Sequence, residues 1–110
     1  MDDHLPKVYV DFTERYPQVA AAQGELAKRL REASPFDEVT NRLLKLALAI
    51  GSESEGAVRS NARKALQAGA SPDDLRAVAL QAVTTCGFPT CVAALRWLQE
   101  VFDAQDPAVG

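Results

Sequence analysis

Two cysteines, Cys86 and Cys91, flank a Gly87-Phe-Pro-Thr90 turn. A thiolate is a nucleophile, and Cys91 falls near the start of a predicted helix, where the positive helix end lowers a thiol pKa. A bond across this turn is geometrically possible. The pair could therefore run thiol–disulfide chemistry, or the two could serve as small buried apolar residues, the usual fate of free cysteine. A second set is Arg42, Glu55, Ser60 and Asn61. Glu55 could act as a general base in an apolar pocket, or sit as a first-turn acid favoured by the helix dipole. Arg42 could pair with Glu38 one turn back, pair with Glu55 across the bundle, or hold an anionic ligand. Asn61 is either a hydrogen-bonded structural amide or a ligand contact. His4 is the only histidine, so there is no histidine cluster for a metal. No Gly-rich phosphate loop and no Ser-His-Asp set is present, and the motifs call for no cofactor.

The elements that must position these residues read as helices. Met1 to Pro6 reads as loose. Lys7 to Phe12 alternates weakly, and is either an extended arm or the lead-in to a helix. Pro17 suits a first helical turn, and Val19, Ala22, Leu26, Leu30 and Ala33 follow at helical spacing. After the Ser34-Pro-Phe break, Asp37 caps a helix that runs to about Ile50, where Gly51 is expected to stop it. Lys45 is the sole polar residue between Leu43 and Ile50, which predicts burial nearly all round. A helix from about Glu53 to Ala68 carries a small-residue face of Ala57, Asn61, Ala65 and Ala68, with Gly69 as its left-handed stop. Ser71-Pro-Asp-Asp is the clearest start signal: a cap, a proline at the first position and two acids at the positive end. Gly87-Phe-Pro89 breaks the chain before a last helix bearing Cys91, Val92, Ala94, Leu95, Leu98, Val101 and Phe102. Asp103 to Gly110 reads as a loose tail. No proline falls in a helix interior. Together these signals predict a single all-α domain of about five helices.

Composition narrows the class. The chain has 110 residues, 47% of them apolar and 25% charged, which fits one soluble domain with a modest core. A net charge of −3 and the lack of a basic stripe argue against nucleic acid. No apolar run approaches the ~20 residues of a membrane span. The N-terminus lacks the basic and apolar regions of a signal peptide, so a cytoplasmic protein is expected.

Residues 36–102 resemble the carboxymuconolactone decarboxylase and AhpD-like superfamily. The likeness rests on Asn61-x-x-Lys-Ala-Leu-x-x-Gly69, Ala70-Ser-Pro-Asp-Asp-Leu-Arg76, Gln81-Ala-Val83, Cys86-Gly-Phe-Pro89 and Ala94-x-x-Trp-Leu-x-Glu100. It implies an AhpD-like helical bundle and a symmetric homo-oligomer, a trimer or hexamer. Members with peroxidase activity carry a glutamate, a CxxC pair and a histidine four places after the second cysteine. Here those positions hold Arg42, Ser54, Ala57 and Asn61. An alanine cannot attack peroxide, and an amide has no titratable proton near neutral pH. The decarboxylase branch relies on the same histidine region, where Asn61 now stands.

Three functions follow as expectations. The first is a family member without CxxC peroxidase chemistry that binds or transforms a small organic molecule, an anion being one option, with Glu55 and Asn61 as catalytic candidates and Arg42 and Ser60 as ligand contacts. The second is a thiol-dependent peroxidase or oxidoreductase using Cys86 and Cys91. The third is a non-catalytic oligomeric scaffold.

Overall fold

The computed structural model describes residues 7–105; the N-terminal stretch read as loose, His4 and residues 106–110 lie outside them. Six helices and no strand are found among the described residues. The chain is all-α, and it divides into two compact units, the first ending at Pro35 and the second starting at Phe36.

The first unit is a pair of helices, α1 (Lys7–Arg15) and α2 (Pro17–Ala33). The weak alternation of Lys7 to Phe12 is helix rather than extended arm. Val8, Tyr9, Phe12 and Tyr16 share one side at helical spacing, the Phe12 and Tyr16 rings meet at 5.3 Å, and Lys7 pairs with Asp11 one turn on at 3.3 Å. Pro17 opens α2 as expected. Ser34 ends it in an extended conformation, as a residue before proline must.

The second unit is a four-helix bundle of α3 (Glu38–Gly51), α4 (Glu55–Gln67), α5 (Pro72–Thr85) and α6 (Phe88–Gln105). α3 packs on α4 and α5, and α6 packs on the same two, so α3 and α6 sit diagonally. Each start has a local cause. Asp37 accepts the Thr40 backbone N–H at 2.8 Å. That bond and one from the Thr40 side chain hold the Asp37 carboxyl below its ordinary pKa. At α5, Ser71 Oγ accepts the Asp74 N–H at 3.0 Å while the Asp74 carboxylate accepts the Ser71 N–H at 2.9 Å, a complete capping box.

Two expectations about boundaries are corrected. Gly51 does not stop α3; it is its last residue. The stop is Glu53, at φ +54, with Glu53 N–H donating to Ile50 O and Ser54 N–H to Ala49 O. That is the Schellman pattern, whose left-handed position glycine usually fills. Sequence composition favoured the glycine; the hydrogen-bond geometry selected a residue two places on. Gly69, by contrast, is the stop expected, at φ +112. The tail is shorter than read, because α6 continues through Asp103 to Gln105. Pro89 falls inside the first turn of α6 rather than in the break, where its missing N–H has no helical partner to lose.

Leu46 and Ile50 of α3, Val58 of α4, Leu75 of α5, and Cys91 and Leu98 of α6 are the largest fully buried side chains. Truncating any of the leucines to alanine would cost about 2–5 kcal/mol. α3 is not buried all round within one chain: Leu44 is 44% exposed and Leu48 71%. Both lie on the side opposite Leu46 and Ile50.

Candidate functional site

The first two turns of α4 bring together three of the positions singled out by sequence. Ser54 is the residue before the helix, and its side chain caps nothing. Ala57 follows three residues on. Asn61 follows four further, half-buried, and its side-chain amide donates to the Ala57 carbonyl at 2.9 Å. The three lie along one flank of α4. The Asn61 oxygen is left as an acceptor while the nitrogen is used within the helix. This flank carries no thiol and no imidazole.

Glu55 stands elsewhere. It is exposed and pairs with Arg59 one turn on. Arg59 also holds Glu100 of α6 at 2.9 Å. The two glutamates raise the Arg59 pKa, Glu55 by the larger hydrogen-bond effect. Glu55 is therefore an acid in the first turn of α4, closing an ion-pair clamp between α4 and α6. It is not a base in an apolar pocket. Arg59 was missed as a partner, although the Glu55-x-x-x-Arg59 spacing is the favourable order for a helical ion pair. Glu100, from the far end of the sequence, had no such local signal.

Arg42 lies on α3, half-buried, and among the described residues it makes no hydrogen bond or ion pair. Neither pairing expected for it is found. The reason for Glu55 is distance along the hairpin: Arg42 stands nine residues before Gly51, about 13 Å from the turn at a rise of about 1.5 Å per residue. Glu55 opens α4 at that turn. Asn61 lies six residues into α4, about 9 Å from the same turn, so Arg42 and Asn61 come to similar heights on neighbouring helices. Ser60 is half-buried next to Asn61 in sequence and points off a different side of α4. The second half-buried arginine without an ion pair, Arg63, follows Arg59 by one turn and so lies on the flank toward α6. The polar set divides: Arg42 and Asn61 on the α3–α4 side, Glu55 and Arg59 on the α4–α6 side.

The cysteines are both free. Cys91 is 1% exposed in the core, as expected of a small apolar residue. Cys86 is exposed, which that reading did not foresee. It ends α5, and a Cβ placed on Gly51 would meet its sulfur at 3.8 Å. The Cys86 thiol thus lies against the end of α3, at the same end of the bundle as the α3–α4 turn.

Among the described residues, no three His, Cys, Asp or Glu side chains gather as a metal-binding group. No helix there is long and apolar enough to cross a membrane. No curated protein matches the sequence. The carboxymuconolactone decarboxylase family model matches residues 17–100, taking in α2 as well as the bundle. With that match over most of its length, the chain belongs to the carboxymuconolactone decarboxylase family.

Proposed function

We propose that this family member binds, or binds and transforms, a small anionic organic molecule beside Arg42 and Asn61, without CxxC peroxidase chemistry. The observation that carries the reading is Arg42: a half-buried arginine with no anion of its own among the described residues. Arg59, in a comparable setting, has two carboxylates. A guanidinium can take a carboxylate in a bidentate pair. Asn61 supplies an amide oxygen for a hydroxyl or N–H of the same molecule. Ser60, which points off a different side of α4, is left out of the site. Glu55 is left out of the site, because its carboxylate is engaged by Arg59.

Peroxidase chemistry at Cys86 and Cys91 is the weaker reading. A resolving or attacking thiol must reach its partner, and Cys91 is 1% exposed. The assembly expected is a homo-oligomer, trimer or hexamer, and the outward Leu44 and Leu48 of α3 favour a packed bundle face, since such residues are covered in assemblies.

A thermal-shift screen of mono- and dicarboxylic acids, run on the wild type, Arg42→Met and the double variant Cys86→Ser/Cys91→Ser, tests the function. The expected result is a stabilising acid whose affinity falls at least tenfold in Arg42→Met and is unchanged in the cysteine variant. No stabilising acid, or equal binding by Arg42→Met, would favour the scaffold. Peroxide turnover that vanishes in the cysteine variant would establish the thiol reading instead.

A further inference from the structure

Asn61 stands in the middle of α4, on a flank otherwise made of small residues, with Ala57 and Ala65 one turn to either side. Its side-chain nitrogen donates to the Ala57 carbonyl at 2.9 Å. That bond decides which way the amide faces. A carbonyl can only accept, so the nitrogen must be the end turned to Ala57. Turning the amide over would set two oxygens against each other and give up the bond. Oδ1 is therefore held away from the helix backbone. It has no partner of its own among the described residues. No side-chain oxygen shut off from solvent lacks a partner there, so Oδ1 is open to a molecule from outside. An asparagine free to rotate serves donors and acceptors alike. This one is an acceptor with a fixed direction.

We infer, resting on the reading of Arg42 as the carboxylate contact, that Asn61 selects the ligand by its hydrogen-bonding group. The site takes a monocarboxylic acid that carries a neutral donor, a hydroxyl or an amide N–H. It discriminates against an oxo acid or a diacid that would place an acceptor there. A hydroxyl meets Oδ1 as a donor and leaves no acceptor without a partner. A ketone oxygen or a second carboxylate meets it acceptor to acceptor, and strips Oδ1 of water without replacing the bond. An ammonium group is a donor as well, but its charge is repelled by the same arginine. Arg42 thus fixes the acid, and Asn61 sorts the acids by what else they carry. The amide does this without a proton of its own to give or take near neutral pH.

Calorimetric titration of the full chain with the ortho, meta and para isomers of hydroxyphenylacetate, each beside the fluorophenylacetate of the same pattern, tests it. Fluorine is close to a hydroxyl in size and donates nothing, and the three isomers span a range of distances between acid and donor. In the wild type at least one hydroxy isomer should bind at least tenfold more tightly than its fluoro partner, as a site built for a hydroxyl rejects the analogue lacking it. Asn61→Leu should bring that pair to within about twofold of each other, and the binding that remains should be lost in Arg42→Met. Should Asn61→Leu fail to fold, Asn61→Ala carries the same expectation, on a helix flank already lined with alanine. Equal binding within every pair by the wild type, with affinity that depends on Arg42, would overturn the inference and leave the carboxylate site standing. A preference that survives both Asn61 variants would overturn it by assigning the choice to another residue. Failure of all six acids to bind would overturn it too; a stabilising acid in the broader screen would then show that the Arg42 reading survives alone.

Discussion

The turn between α3 and α4 and the turn between α4 and α5 solve the same problem with different residues. Each ends a helix with paired backbone bonds from the two residues past the cap: Glu53 and Ser54 to Ile50 and Ala49, Gly69 and Ala70 to Leu66 and Ala65. The α4–α5 turn uses glycine at the left-handed position, buries Ala70 to 7% exposure against the core, and starts α5 with a complete capping box. The α3–α4 turn places Glu53 in the left-handed region and starts α4 with a serine whose side chain caps nothing. One junction is built from residues suited to their conformations; the other, at Glu53 and Ser54, is not. Stability is concentrated at the first and left incomplete at the second.

Substitutions sharpen that contrast. Gly69→Ala should have the largest effect. Nothing lies within 4 Å of the new methyl, so the cost is backbone strain alone, about 1–2 kcal/mol. Ser71→Ala should cost about 1 kcal/mol by removing one half of the capping box. Glu53→Gly should work in the other direction, stabilising by roughly 0.5–1 kcal/mol as the left-handed strain is relieved. Ser54→Ala should be smallest, within about 0.5 kcal/mol of wild type. Thermal unfolding resolves all four, since about 1 kcal/mol moves the midpoint of a domain this size by about 4–8 °C. A destabilised Glu53→Gly, or a Ser54→Ala loss as large as that of Ser71→Ala, would abolish the distinction between the turns.

The same contrast explains what the sequence made legible. Ser71-Pro-Asp-Asp and Gly69 announce their conformations through residue types that suit few others, and both stand where expected. Glu53 gives no such signal, because a glutamate at φ +54 is set by the turn it must close rather than by its own preference. Gly51, two residues away, drew the boundary to itself. The lead-in of α1 was ambiguous because a six-residue alternation competes with helical spacing that becomes visible only when Tyr16 is included. At the site, Asn61 and Ala57 were legible as neighbours one helical turn apart. The Arg59–Glu100 bond was not, since 41 residues separate its partners. What removes Glu55 from the candidate site is its pair with Arg59 one turn on, a spacing that was readable in the sequence. Arg42 could be recognised as unusual in an apolar helix, but its lack of a partner depends on heights along two helices.

The most direct test of the account is a two-dimensional amide NMR titration with the best-binding carboxylic acid. Binding beside Arg42 predicts saturable shifts of the Asn61 side-chain amide and of backbone amides around Arg42 and Ala57, with little change at Cys86 and none in Arg42→Met. Shifts centred on the turn between Cys86 and Cys91, or the same shifts in Arg42→Met, would contradict it.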